Sequence, residues 1–563
     1  MGLEVHPAAV TQDDDAPRGR VVLVAFLEQD NLGVGYLASM LMQRGYDPYI
    51  VDFRLGEAEI LANIRKRSPL LVGFSVIFQH HILLFTTLIQ FLRDNGVRCH
   101  FTAGGHYPSL RWDELLQLAP GLDSVVLFEG EHTLARLVQA VERGADWRGL
   151  NGIAWVRGGV PTANPLAALE DDLDNFPPPL RQPLREITLG RRFATILASR
   201  GCRHNCMFCS IRQFYAAPPG SLKRIRDPEM VVEEMLQLRD QMGCSVYMFQ
   251  DDDFPVGTAA GCRWVERFCQ LLRQHGLADD ALWKISCRAD EIEEDVVALM
   301  RDHGLFLVYM GIESGTDEGL RLMNKRTSVA RTLESVGILK RLGVCFDYGF
   351  MMFAPWTTPE LIRGDLNFLD RICADGSTCV TFCKMLPYAA TQIEAMLRST
   401  QRLHGPVGGE DYDFDEPAVA RAHDAMNEVF FTWIARRDGL LNRCRWMRYE
   451  LAVVARSPGG RERVAPLVTS ATATIAAANR LFIDTAREIV DLAAHPLAPV
   501  TIATLRRKVD ARQAQFGREL AVMSTLLDDA VTRGVVGSAT REKPRHATPI
   551  ASRSGLTRRD GRR

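Results

Sequence analysis

The chain has 563 residues, 47% hydrophobic and 24% charged, and a formal net charge of −2. That length exceeds one ordinary domain, so two or three are expected, and the near-neutral balance carries no electrostatic footprint for a nucleic-acid or membrane partner. No apolar run reaches the roughly 18 residues of a membrane span and the first residues hold no apolar signal core, so a cytoplasmic location is expected.

Residues 1–19 are acidic, proline-containing and aperiodic, and read as disordered. From Val21 a regular alternation begins. Short apolar runs VVLVAFL (21–27), YIVDF (49–53), LLVGFSV (70–76), HFTAGG (100–105) and SVVLFEGE (124–131) are each followed by a stretch with helical period, the first from about Val34 to Arg44. This pattern predicts βαβ units and a five-stranded, doubly wound, Rossmann-like α/β domain over residues 20–148. Residues 149–190 read as a β-hairpin with a Gly-Gly turn and then a Pro-rich linker.

A second alternating series starts at FATILAS (193–199). Its further strands are VYMFQ (246–250), LWKISCR (282–288), LVYMGIE (307–313), CFDYGFMMF (345–353) and CVTFCKML (379–386). Six strands in βα alternation predict a partial (β/α)6 barrel over 191–405, with its chemistry at the C-terminal strand ends. Strand signals then stop. Helical periods over 416–450, 464–493 and 500–534 predict a helical C-terminal domain over 406–536, placed over the barrel mouth. Arg443, Arg445 and Arg448 read there as a solvated helix face, with contact to an anionic substrate as the other option. Residues 537–563 read as a basic disordered tail.

The chain has 13 cysteines. With no export signal, reduced thiols or metal ligands are the better reading than disulfides. Cys99, Cys244, Cys269, Cys345, Cys379 and Cys383 read as small core residues. The segment SRGCRHNCMFCS differs: Cys202, Cys206 and Cys209 stand in C-x3-C-x2-C spacing directly after the first strand of the second series. Three thiols converging from one loop suit a 4Fe–4S cluster with one iron left open to a cofactor. A structural zinc site normally closes with a fourth ligand, for which only a cramped His204 is at hand.

This spacing, with Phe208 before the third cysteine and a strand ahead of the loop, resembles the radical S-adenosylmethionine superfamily. Further segments fit in order: FQDDDF (249–254), WKISCRAD (283–290), MGIESG (310–315) and MLPYAAT (385–391), with Ala390 where glycine is common. The resemblance implies that Cys202, Cys206 and Cys209 hold the cluster. It places Phe208, Asp251, Ser286, Arg288 and Glu313 around S-adenosylmethionine. It also implies reductive cleavage to a 5′-deoxyadenosyl radical, hence an external one-electron reductant of flavodoxin or ferredoxin type.

Gly33 to Ala38 match G-x-G-x-x-A, with Asp52 some twenty residues on. The dinucleotide fingerprint needs its turn directly after the strand, however, and Glu28 to Leu32 intervene. A sheet domain ahead of a radical barrel instead resembles the cobalamin-binding domain of cobalamin-dependent radical enzymes. On that resemblance Asp30, Asn31, Leu32, Gly33, Gly35, Ser75, Gly104, Gly105, Glu129 and Gly130 line the corrinoid. Asp30 stands where related domains carry a cobalt-ligating histidine, which implies cobalamin without a histidine lower ligand. His80 and His81 read as the start of a helix.

The resemblance covers about residues 20–400 and implies a class B-type methyltransferase acting on an unactivated carbon of a small, natural-product type molecule by way of methylcobalamin. A ring contraction, cyclisation or other rearrangement with the same cofactors is the alternative. A non-catalytic metal protein is a further one. A methylthiotransferase would carry a second three-cysteine cluster in a region that here holds only Cys99. No substrate-binding or acid–base residue is legible.

Overall fold

The computed structural model describes residues 18–27, 30–183, 186–187, 191–457 and 459–535. The two segments read as disordered fall outside the described residues, apart from Arg18 and Gly19.

The first sheet is built on parallel strands β1 (Arg20–Ala25), β2 (Asp47–Asp52), β3 (Leu71–Ser75), β4 (His100–Gly104) and β5 (Ser124–Val126), in spatial order β2-β1-β3-β4-β5. Helices cover both faces, so β1 is buried from Val21 to Ala25, as an interior parallel strand must be. The hairpin β6 (Ile153–Arg157) and β7 (Val160–Ala163), expected in the linker, belongs to this sheet. β6 pairs antiparallel with β5, Val125 opposite Ala154, and brings the sheet to seven strands. It covers the open backbone edge that β5 would otherwise present. Its turn holds Gly158 and Gly159 at φ +57° and +84°, the left-handed pair that a tight hairpin demands.

In the second sheet β8 (Glu186–Ile187) is an antiparallel edge to β9 (Arg191–Ile196). After the short antiparallel pair β10 (Ser199–Arg200) and β11 (Arg224–Ile225) come β12 (Cys244–Phe249), β13 (Leu282–Arg288), β14 (Leu305–Glu313) and β15 (Cys345–Phe350). The spatial order is β15-β14-β13-β12-β9-β8, parallel from β9 to β15. The expected sixth barrel strand does not form. Residues 379–386 contribute one bridge, Phe353 to Lys384. The backbone there is satisfied from elsewhere: Asn479 accepts from Val380 N at 3.0 Å and donates to Cys373 O and Thr378 O at 2.8 Å each. Cys383, in this irregular segment, is exposed rather than a core residue, whereas Cys244, Cys269 and Cys379 are buried.

The C-terminal region comprises helices Pro417–Ile434, Leu440–Ala455, Gly460–Leu492 and Pro499–Val535. The first expected helix is thus two, broken before Gly439, whose close packing on Trp433 O leaves no room for a Cβ. The second helix corrects the reading of its arginines. Arg448 is buried, with Nη1 3.0 Å from Asp347 Oδ1 on β15 and Nη2 donating to Phe346 O. Arg445 Nε lies 3.2 Å from Asp347 Oδ2, the Tyr449 hydroxyl donates to the same carboxylate, and Arg443 donates to Gly517 O. Arg456 donates to Arg301 O and to Leu305 O, the first residue of β14. This helix therefore closes the sheet at its N-terminal strand ends, opposite the mouth it was expected to cover. No helix among the described residues is long and apolar enough to cross a membrane.

Candidate active site

Strand β9 delivers the chain through β10 into the cysteine loop. Gly201 makes that entry possible: it sits at φ +85°, and a Cβ there would fall 1.8 Å from Leu222 O. Cys206 is buried, and Cys202 and Cys209 are half-buried. The three aspartates after β12 brace this loop. Asp251 accepts from Ala198 N at 3.2 Å and from the Ser199 hydroxyl. Asp252 accepts from Gly201 N at 2.8 Å, and Asp253 Oδ2 lies 3.8 Å from Cys202 Sγ. Burial pushes the Asp251 carboxyl up to about 6. On the far side Met207 N donates to Met323 O, Asn324 Nδ2 to Asn205 O and Ile393 N to Met207 O. Phe208 packs with Met323, Met385 and Ile393.

Ser286 and Arg288 on β13 alternate onto one face of the sheet, opposite Tyr309 and Gly311 of β14. Past an irregularity at the end of β14, the Glu313 carboxylate lies on the Cβ side of Gly311 and so on the same face. Ser286 Oγ accepts from Lys284 Nζ at 2.5 Å. Arg288 grips Asp290 at 2.9 and 3.0 Å and brings Nη1 to 3.6 Å from Cys206 Sγ. Glu313 is buried at φ +71°, a strained conformation for a side chain of its size, and burial raises its carboxyl pKa. Lys325 Nζ lies 3.3 Å from Glu313 Oε1 and 5.9 Å over the Phe208 ring. Lys325 and Asp253 were not singled out in the sequence. Asp253 lies within the FQDDDF segment beside Asp251, Lys325 lies in none of the matching segments, and the fold brings both to the cysteine loop.

The donor set fits a cluster. Three thiols come from one loop, a guanidinium faces one of them, and His204 is turned elsewhere, its Nε2 3.1 Å from Glu291 Oε1. His204, Asp253 and Glu291 bring their ligand atoms within 4.8 Å of one another. The imidazole is thus spent on carboxylates rather than closing a zinc site with the thiols.

The expected corrinoid residues divide. Ser75, Gly104 and Gly105 lie together at the C-terminal ends of β3 and β4, where Val76 N donates to Gly104 O and a Cβ on Gly105 would meet Val76 O at 2.5 Å. Asn31 caps helix Leu32–Gln43, its Oδ1 accepting from Val34 N. Leu32, Gly33 and Gly35 therefore belong to that helix, not to an open loop. Gly35 is covered by the Pro-rich connector, with Leu180 N bonded to Gly35 O at 3.0 Å. Asp30 Oδ2 accepts from Arg181 and from Thr195 Oγ1, both at 2.8 Å. Glu129, next to Gly130, has its oxygens taken by Arg200 and Arg224 and by Glu170 N. Asp30 and Glu129 thus fasten the two sheets together instead of offering carboxylates to a ligand. His80 and His81 form a short 3-10 turn before helix Ile82–Asp94, and His81 stacks on Phe26 at 4.0 Å.

The joints between the sheets all lie at C-terminal strand ends. Besides Glu129 and Asp30, Gln79 after β3 accepts from Ala389 N at 2.8 Å, Arg111 pairs with Glu394, and His106 stacks on Phe214 at 4.3 Å. The C-terminal strand ends of one sheet therefore abut the cysteine loop and closing motif of the other. Residues 20–138 match the B12 binding domain model, and residues 196–363 match that of the Radical SAM superfamily. The chain is a cobalamin-dependent radical S-adenosylmethionine enzyme.

Among relatives of this enzyme, an uncharacterized methyltransferase of Pyrococcus horikoshii is 26% identical over 368 residues, covering 64% of this chain and 77% of the relative. An anaerobic magnesium-protoporphyrin IX monomethyl ester cyclase of Rubrivivax gelatinosus is 29% identical over 344 residues, covering 59% of this chain and 60% of the relative. The cobalamin-dependent S-adenosylmethionine radical enzyme OxsB, solved with aqua-cobalamin and S-adenosylmethionine bound, superimposes with a TM-score of 0.63 at 17% identity over 91% of this chain and 84% of its own. That likeness extends the shared fold into the helical C-terminal region.

Proposed function

We propose that this enzyme is a C-methyltransferase acting on an unactivated carbon of a small, natural-product type molecule. The observation that carries the reading is the abutment just described: the strand ends of a corrinoid-binding sheet face the strand ends that carry the cysteine loop, so both cofactors would border one cavity. Kinship with a protein named a methyltransferase supports it.

Cys202, Cys206 and Cys209 would hold the cluster, and Ser75, Gly104 and Gly105 would lie against a corrinoid bound without a histidine beneath it. Bound there, the cluster and S-adenosylmethionine supply radical chemistry at carbon, and cobalamin supplies a methyl group. The chain's own residues orient and shield. Arg288 sets a fixed positive charge 3.6 Å from Cys206 Sγ. Glu313 and Lys325 place a buried ion pair beside the Phe208 ring of the cysteine loop, where it would meet the charged ends of an amino acid. Asp251, Asp252 and Asp253 keep the loop in one conformation, so that little reorganisation remains at the moment of reaction.

Anaerobic reconstitution followed by iron and corrinoid analysis tests the reading. About four irons and about one cobalamin per chain support it, and iron without cobalamin removes the methyl donor and with it the proposal. The cyclase relative favours a second reading, a rearrangement or cyclisation on the same cofactors. Isotope-labelled methyl groups of S-adenosylmethionine separate the two: label in the product means transfer, and an unlabelled, isomerised or cyclised product means rearrangement.

A further inference from the structure

Beside the three thiols lies a second set of ligating side chains that a cluster on those thiols does not use. His204 comes from the cysteine loop itself, Asp253 from the turn after β12, and Glu291 from the turn after β13. One ligating atom from each lies within 4.8 Å of the other two. His204 Nε2 is 3.1 Å from Glu291 Oε1, a separation that suits two ligands on one metal with bonds of about 2.0–2.2 Å.

A separate observation shows that this set lacks a partner. Asp253 is 7% exposed, and its Oδ1 is buried with no hydrogen-bond donor among the described residues. Its Oδ2 faces the Cys202 thiol at 3.8 Å. Lys223 donates to the Asp253 backbone carbonyl rather than to the carboxylate. Gly257 admits the second carboxylate, since a Cβ there would fall 2.5 Å from Glu291 Oε1. A buried carboxylate oxygen left without a donor costs free energy that a bound cation offsets.

We infer that His204, Asp253 and Glu291 form a site for one divalent first-row transition metal, separate from the three thiols. One imidazole with two carboxylates suits Mn2+, Fe2+ or Zn2+, whereas Mg2+ and Ca2+ prefer oxygen alone. Two negative charges match one divalent ion. The ligands come from three segments, so the ion ties the cysteine loop to the C-terminal ends of β12 and β13. It also cancels the negative charge that Asp253 sets beside Cys202.

The test uses the full chain, reconstituted anaerobically, kept in the oxidised EPR-silent state and stripped of loose metal with a chelator. Mn2+ is the probe, and the EPR signal of the free aqua ion reads what stays unbound. The expected result is saturable binding of about one Mn2+ per chain, displaced by Zn2+. H204Q and E291Q are each expected to weaken it by at least about tenfold. E294Q, which alters an exposed carboxylate paired with Arg341, is expected to leave it unchanged. Mn2+ should also raise the thermal midpoint of the wild type and not that of E291Q. Iron, manganese and zinc are counted on every sample, so an ion carried through the chelator counts as occupancy. If H204Q loses its cluster as well, E291Q, outside the loop, decides. A wild type that takes up no iron yet binds Mn2+ sinks the cluster reading and leaves this site standing. About four irons with no further ion bound, or binding equally tight in both variants, overturns the site alone.

Discussion

Arg200 and Glu129 lie 3.1 Å apart across the boundary between the two sheets, and Arg200 is the second residue before Cys202. The pair does not stand alone. Arg200 also reaches Glu131 at 2.8 Å, and Arg224 reaches Glu129 at 2.7 Å. Arg224 is 2% exposed at its side chain and Glu129 8%, so the pair is largely shielded from solvent. Removing one partner from such a set leaves a buried charge uncompensated. Glu129→Ala is expected to destabilise the folded chain by about 3–5 kcal/mol, read as a drop in the thermal or urea midpoint.

The same carboxylate sets an acid limit. Burial pushes the Glu129 pKa up, but Arg224 and Arg200 outweigh it and hold it below the ordinary carboxylate value. A depressed folded-state pKa contributes stability that is present above the unfolded value and lost as pH falls through the folded one. Unfolding curves from neutral pH down through the carboxylate range are expected to show a shallower acid limb for Glu129→Gln than for the wild type. Parallel limbs would contradict this.

Single alanine substitutions of Cys202, Cys206 and Cys209 are each expected to reduce bound iron from about four per chain to near background. Cys383→Ala, which removes an exposed thiol outside the loop, is expected to keep it. Iron analysis and the visible absorption of the reconstituted protein measure both. Full iron in any of the three loop variants would show that the ligand set is different.

Asp347 faces two guanidiniums and a phenol from one helix. Asp347→Asn is expected to cost about 3–5 kcal/mol because Arg448, 7% exposed at its side chain, loses its counter-charge. The double change Asp347→Leu with Arg448→Leu is expected to cost less than the single one, since it leaves no buried charge unpaired. Urea denaturation of both variants gives the comparison.

Lys284 is held among Phe249 O, Ser286 and the Tyr309 ring, and burial pushes its pKa down to about 8 from 10.5. Here the unfolded chain binds the extra proton between those two values, so stability due to this group rises as pH increases from about 8 to 10.5. Lys284→Met is expected to be more stable than the wild type near pH 7, with the gap closing across that window. A constant gap would place the charge in a better-solvated setting than the structure shows.

Much of the fold was legible because its signals are local. The apolar runs of β1, β3 and β4 are buried on both faces and read directly as parallel strands. The cysteine spacing is contained within eight residues, and the strand before it was found at its place. What was not legible depended on partners far away in the chain. Nothing in CVTFCKML shows that Asn479, a hundred residues on, would take its backbone bonds. The arginines of helix Leu440–Ala455 look solvated until Asp347 is placed beneath them. Glu129 and Asp30 stand at strand ends, where ligand contacts were expected, and only their distances to Arg200, Arg224 and Arg181 reveal what holds them. Ala390 is a smaller case: it adopts φ +59°, which explains in backbone terms why glycine suits that position.

The hydrogen bonds of Asn479 bear on how this chain can be divided and recombined. The matched superfamily segment ends at residue 363, yet the backbone at 378–380 is completed by a side chain from the third C-terminal helix. A cut between barrel and helices would strip these amide and carbonyl groups of their partners and open a flank of apolar residues including Val380 and Phe382. The catalytic half is therefore not a transplantable cassette. A chimera that exchanges the helical region for that of a relative is expected to fold only if the incoming helix restores an amide-bearing side chain at that one point, which makes residue 479 the seam at which such swaps succeed or fail.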